Sequence, residues 1–109
     1  MLKPILDSPV KERILFTVLT RKETYARDLV ALFGGHLLSV QNQLKKLENG
    51  GVLVSQLRGR TRLYSFNPRY PFLDELKALL QKALSFLGKE ERKEYYQPRL
   101  RPRRAGKPL

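Results

Sequence analysis

Polar side chains that can hydrogen-bond to nucleic-acid bases are concentrated between residues 38 and 46. The spacing in this stretch is helical, because apolar residues recur at three- and four-residue steps and form one stripe. The stripe consists of Leu37, Val40, Leu44 and Leu47. The opposite face carries Leu38, Ser39, Gln41, Asn42, Lys45 and Lys46. Amides can pair with adenine through two hydrogen bonds, lysine or serine suits guanine or phosphate, and an exposed leucine can meet a thymine methyl. An ordinary solvated helix face is the alternative.

A second set of candidate contacts lies just beyond this helix, in a predicted β-hairpin. Val52 to Leu57 and the run from Leu63 to Phe66 are rich in residues that favour strands, and a glycine lies between the two runs. Arginines stand at positions 58, 60 and 62, around that glycine: Arg58, Arg60 and Arg62. Arginine suits a narrow minor groove or a phosphate. Because no acidic residue lies among these three arginines, nucleic-acid contact is favoured over the alternative of a solvated hairpin tip.

The elements before this unit predict a scaffold of two further helices. Ser8 as N-cap and Pro9 at the first helical position start a helix that runs through Thr20. The stretch 21–24 is a polar break between this helix and the next. A second helix is predicted from about Tyr25 to Leu32, and two glycines then turn the chain into the polar helix. Two short amphipathic helices joined by a tight Gly-containing turn are typical of a helix-turn-helix.

A last helix is predicted from about Phe72 to Leu87, after Pro71. Its apolar stripe is too wide for contact with one small domain, so we expect a homodimer in solution. The predicted dimer face has coiled-coil-like spacing, with Leu76 and Leu80 near the two-fold axis. That face consists of Leu73, Leu76, Leu80, Ala83 and Leu87.

The C-terminal segment 97–109 is basic and rich in proline, which excludes regular helix. Its candidate nucleic-acid contacts are Arg99, Arg101, Arg103, Arg104 and Lys107. The segment is predicted either to bind phosphates without regard to sequence or to dock on a protein partner.

The composition limits the classes of function. The 109 residues suffice for one small domain, and a net charge of +12 favours nucleic acid as the partner, with an anionic membrane surface as the rival. With no cysteine and a single histidine, His36, we expect no metal and no cofactor. The carboxylates form no catalytic constellation, so we do not expect an enzyme. The sequence also has no membrane-spanning run and no signal-peptide pattern, which predicts a cytoplasmic protein without membrane contact.

Three segments resemble the winged helix-turn-helix regulators of the ArsR (arsenical-resistance repressor) type, especially the branch associated with nucleotidyltransferase domains. They are Tyr25-Ala26-Arg27-Asp28-Leu29, residues 39–51 and residues 58–67. The resemblance implies a mainly α fold with a small β-hairpin, in which the polar helix reads DNA and the hairpin is the wing. In this fold class a polar break such as 21–24 often holds a very short strand that pairs with the wing. The expected organisation is a lead-in (1–7), a winged domain (8–70), a C-terminal dimerisation helix (71–96) and a basic tail (97–109). Metal sensors of this type carry cysteines before the recognition helix, and their absence here excludes thiolate-metal sensing.

The function expected from the residues and the resemblance together is sequence-specific binding of double-stranded DNA by a dimeric transcriptional regulator, a repressor if it occludes a promoter. Two alternatives remain. One is a protein-interaction adaptor, for example for a separately encoded nucleotidyltransferase. The other is general nucleic-acid binding, including RNA, although the polar helix has no aromatic stacking platform.

Overall fold

The computed structural model describes residues 2–96, which form six helices and one β-hairpin. Sequence-local signals set most of the boundaries. The Ser8 hydroxyl accepts a hydrogen bond from the Lys11 N–H at 3.1 Å, and Pro9 is the first helical residue, as predicted. The elements are α1 (Lys3–Leu6), α2 (Pro9–Arg21), α3 (Ala26–Phe33), α4 (Leu37–Asn49), β1 (Leu53–Arg58), β2 (Thr61–Phe66), α5 (Leu73–Leu84) and α6 (Lys89–Tyr95).

The core is built around α2, which is surrounded by other elements. Five consecutive residues from Ile14 to Val18 are each at most 1% exposed, so this part of the helix is buried on every side. The other elements place apolar side chains against it. They include Leu29 from α3, Leu44 from α4, Leu53 and Tyr64 from the hairpin, and Leu80 and Leu84 from α5.

The helix-turn-helix unit depends on two glycines between α3 and α4. Gly34 has φ 79° and ψ −164°, a region that essentially only glycine occupies, and Gly35 has φ 91°. The Gly34 N–H also caps α3 by donating to the Val30 carbonyl at 2.7 Å. These conformations turn the chain within three residues, so that α4 begins at Leu37.

The hairpin is joined to the rest of the domain by a third short strand. Strands β1 and β2 are antiparallel, and Thr24 pairs with Tyr64 on the other edge of β2 through hydrogen bonds of 3.0 and 2.8 Å. This bridge confirms the strand expected in the stretch 21–24. Thr24 is completely buried, so this residue of the polar stretch belongs to the core.

The C-terminal region differs from the prediction. The segment 71–96 holds two helices, because α5 ends at Leu84 and the chain turns before α6 begins at Lys89. Helix α6 packs back on the domain. The Tyr95 ring stacks on Phe33 with centroids 4.8 Å apart, and the Tyr96 ring meets Phe16 edge-on at 5.3 Å. The guanidinium of Arg21 donates to the Tyr95 carbonyl at 3.1 Å and so caps the end of α6.

The predicted dimer face on the last helix is also corrected. Leu80 and Ala83 are 0% and 5% exposed within one chain, because they pack on the chain's own core. Leu76 and Leu87 are half-buried against the same core, and Leu73 is half-buried. A second copy cannot cover side chains that the first copy already encloses, so Leu80 and Ala83 are not available to a dimer interface.

Candidate nucleic-acid interface

The polar face of α4 is exposed to solvent. Leu44 is fully buried and Val40 and Leu47 nearly so, which points the opposite side of the helix to solvent. Leu38 is apolar yet 68% exposed. All six side chains predicted to contact DNA from this helix are exposed: Leu38, Ser39, Gln41, Asn42, Lys45 and Lys46. The helix therefore presents two amides, two cations, a hydroxyl and one apolar group on an open surface.

These residues line two neighbouring grooves on the surface of α4. Gln41 lines an open cleft on the side of the hairpin, whereas Ser39 and Lys46 line a shallower groove on the other side. Asn42 and Lys45 border both grooves. These two side chains are therefore accessible from both grooves.

The cleft between α4 and the hairpin is basic. It has a volume of about 780 Å³, and its walls are the start of α3, the exposed face of α4 and the turn end of β2. Four cations line it against a single carboxylate: Arg27, Lys45, Arg60, Arg62 and Glu48. A concave surface of this charge attracts a polyanion.

The wing, the hairpin formed by β1 and β2, ends in a two-residue turn. Arg58 pairs with Thr61 in the register, so only Gly59 and Arg60 lie in the loop. The loop has positive φ at Gly59 alone, 65°, which fits a type II′ turn with glycine first. Arg60 follows at the tip, exposed and without a hydrogen bond or ion pair among residues 2–96.

Arg62 connects the wing to α4 through a chain of hydrogen bonds. Its guanidinium donates to the Ser55 hydroxyl at 3.0 Å, and that hydroxyl donates to the Glu48 carboxylate. Burial raises the pKa of the neighbouring Tyr64, the Glu48 charge raises it further, and Arg62 lowers it.

Arg58 occupies a different position from the other two arginines. Side chains alternate along a strand, so Arg58 lies on the wing face opposite to Arg62 and does not line the cleft. Its guanidinium lies 3.5 Å from the Glu23 carboxylate. Of the three predicted wing contacts, the structure thus brings Arg60 and Arg62 to the cleft and places Arg58 outside it.

Sequence reasoning missed Arg27 and the role of Glu48. Arg27 lies in the first turn of α3, where Ala26, Leu29 and Val30 face the core, so helical spacing alone would have placed it on the exposed side. Glu48 lies near the end of α4, where helical spacing indicates only a solvated or ion-paired surface position. Its hydrogen bond to Ser55 depends on the return of the hairpin onto α4, which helical spacing does not reveal.

The remaining predicted contacts fall into two groups. Tyr95 and Tyr96 are residue types that can stack on bases or pack on the domain, and in the structure both pack against aromatic rings of α2 and α3. The predicted tail contacts lie outside the described residues: Arg99, Arg101, Arg103, Arg104 and Lys107.

No metal-binding cluster accompanies the interface within residues 2–96. That range contains no group of three or more histidine, cysteine or acidic side chains placed to hold a metal ion. His36 is exposed at the start of α4, and its side chain makes no capping hydrogen bond. Asp28 pairs with Arg21 at 3.8 Å, which ties α3 to the end of α2. None of the helices described has the length and apolar character needed to cross a membrane.

The helix-turn-helix of α3 and α4, followed by a hairpin beside the second helix, defines a winged helix-turn-helix fold. Solved structures with the same arrangement include the transcriptional regulator Tm0710 from Thermotoga maritima. It superposes with a TM-score of 0.55 over 84% of this chain and 70% of its own, at 22% identity. ZitR from Lactococcus lactis, solved as an apo double mutant, gives a TM-score of 0.53 over 84% of this chain and 78% of its own, at 16% identity. No protein-family model matches the sequence, and a search of curated proteins finds no match. The structural likeness confirms the predicted fold class.

Proposed function

We propose that this protein is a transcriptional regulator that reads double-stranded DNA with the exposed face of α4 and holds the phosphate backbone with its wing. The observation that carries the proposal is the basic cleft between these two elements, where four cations face one carboxylate. A helix with a free polar face fits the major groove, and a cationic hairpin beside it reaches the adjacent backbone or minor groove. One structural neighbour is a transcriptional regulator, which supports the same function.

The binding mode divides the contacts by chemistry. Gln41 and Asn42 supply amides that discriminate bases, and Leu38 can meet a thymine methyl. Lys45, Arg27 and Arg60 supply charge for phosphates, which fixes the position of the protein on the duplex without reading sequence. We propose that Ser39 and Lys46 meet the backbone strand on the far side of the helix, because they line the other groove.

Three finer points belong to the same proposal. The protein acts as a dimer, and it represses where its site overlaps a promoter. It belongs with the ArsR-type regulators, which is supported by the resemblance of residues 39–51 and 58–67 and not by the structural neighbours, whose low identity supports the fold alone. Its effector is not a metal held by thiolates, since the chain has no cysteine.

The test is binding to random-sequence duplex DNA across a salt series, followed by selection of preferred sites from a random pool. Phosphate contacts make log affinity fall linearly with log salt concentration. We expect Lys45→Glu to weaken binding and flatten this slope. Lys89→Glu makes the same charge change on α6, away from the cleft, and is the matched control.

Two outcomes would contradict the proposal. Equal losses in both variants would mean that net charge, and not the cleft, drives binding. No binding to any duplex at low salt would instead support the adaptor function, in which the winged domain contacts another protein.

A further inference from the structure

Helix α6 fixes the point at which the chain leaves the folded domain. The Tyr95 and Tyr96 rings lie 4.8 and 5.9 Å from the Phe33 ring, measured between centroids, and Tyr96 is only 6% exposed. The guanidinium of Arg21 donates a hydrogen bond of 3.1 Å to the Tyr95 carbonyl. The basic tail, residues 97–109, therefore starts from a defined place beside Phe33.

This starting place lies next to the turn of the helix-turn-helix. Phe33 is the last residue of α3, and only residues 34–36 separate it from Leu37 at the start of α4. Four residues of extended chain span at most about 14 Å, so the Cα atoms of Phe33 and Leu37 lie no further apart than that. In a helix-turn-helix, the N-terminal residues of the second helix contact the bases. The tail thus starts close to the end of α4 that would enter the major groove.

The wing and the tail are attached to opposite ends of α3. Thr24, two residues before α3, pairs with Tyr64 of the wing, whereas Phe33 at the other end contacts the two tyrosines of α6. The eight residues of α3 are about 12 Å long. The basic cleft is lined by the start of α3, and neither tyrosine of α6 lines it. The tail therefore starts outside the cleft, at the end of α3 away from the wing.

The composition of the tail suits a polyanion. The tail holds five of the chain's 22 basic residues and none of its 10 acidic residues. Four of the five are arginines, which suit phosphates and narrow minor grooves. Three prolines in the tail exclude regular helix, and its length of extended chain spans up to about 43 Å. Its arginines therefore have the reach to contact DNA that occupies the exposed face of α4.

We propose that the tail is a DNA-binding arm, which contacts the phosphate backbone of the same duplex beyond the start of α4, on the flank away from the wing. The protein then holds its site with α4 in the major groove, the wing on one flank and the tail on the other. Because phosphate contacts carry no sequence information, the tail adds affinity without base discrimination. The inference rests on the proposed function, since it requires DNA bound to α4, and it names a second electrostatic contact for that function.

Neutralisation of the tail tests this contact with the full chain and a random-sequence duplex. The test variant leaves residues 2–96 unchanged and replaces four tail arginines: Arg99→Gln, Arg101→Gln, Arg103→Gln and Arg104→Gln. The control removes four charges at exposed positions that line neither groove of α4: Lys3→Gln, Arg69→Gln, Lys82→Gln and Lys89→Gln. We expect the test variant to bind about tenfold to a hundredfold more weakly at roughly 0.15 M salt and to flatten the salt slope by about two units or more, since each lost phosphate contact removes about 0.9. The control should lose no more than about threefold, because charges further from the DNA than a Debye length are screened.

The outcomes separate this inference from the proposed function. Equal losses in the two variants would show that net charge, and not the tail, is responsible, and would overturn the inference. An unchanged affinity and slope in the test variant would also overturn it and would favour a tail that docks on a protein partner. In both cases a loss of binding in Lys45→Glu would leave the proposed function intact. A wild-type chain that binds no duplex at low salt would overturn both.

Cleavage of DNA from an attached iron chelate tests the placement of the tail, because the chain has no cysteine and a single one can be introduced. The chelate is attached at Leu100→Cys in one protein and at Gln56→Cys, an exposed position on the wing, in another. On a duplex with one selected half-site, cuts from position 100 should lie on one flank and cuts from position 56 on the opposite flank. Cuts from both positions on the same flank, or none from position 100, would overturn the inference.

Discussion

The three arginines of the wing differ in their partners. Arg58 is paired with Glu23, Arg62 is hydrogen-bonded to Ser55, and Arg60 at the tip has no such partner among residues 2–96. A phosphate that approaches Arg60 displaces only water, whereas one that approaches Arg58 competes with a carboxylate. The arginines that look alike in the sequence are therefore expected to contribute unequally to binding.

Alanine substitution of these residues should separate their roles. Arg60→Ala is expected to weaken binding to most DNA sequences alike and to flatten the salt slope by about one unit, the loss of one phosphate contact. Arg58→Ala removes the same charge from the opposite face and should change the slope less. If the two substitutions change the salt slope equally, both arginines contact the phosphate backbone of the DNA.

The amides on α4 should behave in the opposite way. Gln41→Ala and Asn42→Ala are each expected to cost about 1–3 kcal/mol on a preferred site and little on random DNA, because bidentate amide contacts discriminate bases. Binding titrations with the selected site and a scrambled duplex measure both quantities. Comparable losses on the two duplexes would reassign these amides to backbone contacts. Asn42 borders both grooves, so its substitution should show the larger difference between the loss on the selected site and the loss on the scrambled duplex.

At the scale of elements, the turn between α3 and α4 depends on backbone conformation. Gly34→Ala should lower the free energy of unfolding by about 1–3 kcal/mol, since the conformation at this position is strained for any residue with a Cβ. Gly50→Ala is the control, because Gly50 has φ −80° and an added Cβ would make only ordinary contacts. That substitution should be neutral or slightly stabilising. Urea denaturation of both variants checks the pair, and similar losses would count against the turn as the cause.

The docking of α6 should make stability depend on alkaline pH. Burial is the main reason that the pKa of Tyr96 lies above its ordinary value of 10.0; the Glu91 carboxylate adds to the shift and Arg13 opposes it. The unfolded chain therefore loses this proton first as pH rises, and stability present below pH 10 declines above it. Tyr96→Phe keeps the ring without the hydroxyl, so its free energy of unfolding should fall less between pH 9 and pH 11. Identical declines in the two proteins would mean that Tyr96 does not control the transition.

The elements that the sequence predicted well have local signals. Ser8 and Pro9 start α2, two glycines separate α3 from α4, and a change to two-residue periodicity marks the wing. These signals depend on neighbouring residues, so they do not require knowledge of the packing. Two glycines also follow α4, but only Gly51 has positive φ and Gly50 remains helical, so a glycine pair alone does not show which of its residues ends a helix.

The orientation of α5 was not predictable in the same way. Apolar residues occupy most sides of this helix, so periodicity does not decide which stripe faces inward. The orientation is determined by packing on Ile14 to Val18, which buries Leu80 and leaves Leu79 on the solvent side of the helix. The same limit applies to the site, where the partner of Arg58 lies 35 residues away along the chain. Its charge was visible in the sequence, but its pairing depends on the folded structure.

At the scale of the whole molecule, the proposed dimer predicts the form of the DNA site. Two copies related by a two-fold axis require two half-sites in inverted orientation, with centres about 34–36 Å apart if adjacent major grooves are used. We expect a footprint of two protected regions. Insertion of five base pairs between the half-sites should reduce affinity strongly, because it rotates them to opposite faces of the duplex. Unchanged affinity after the insertion would indicate that each chain binds alone.

The attachment of the wing on both sides has a consequence for the thermodynamics of binding. Thr24 holds one edge of β2, and the hydrogen bonds from Arg62 through Ser55 to Glu48 hold the hairpin to α4. Since the wing is already ordered in the free protein, binding does not have to offset a loss of conformational entropy on ordering it. The heat-capacity change on association should then correspond to the apolar surface that DNA covers, and not to the larger burial of a segment that folds as it binds.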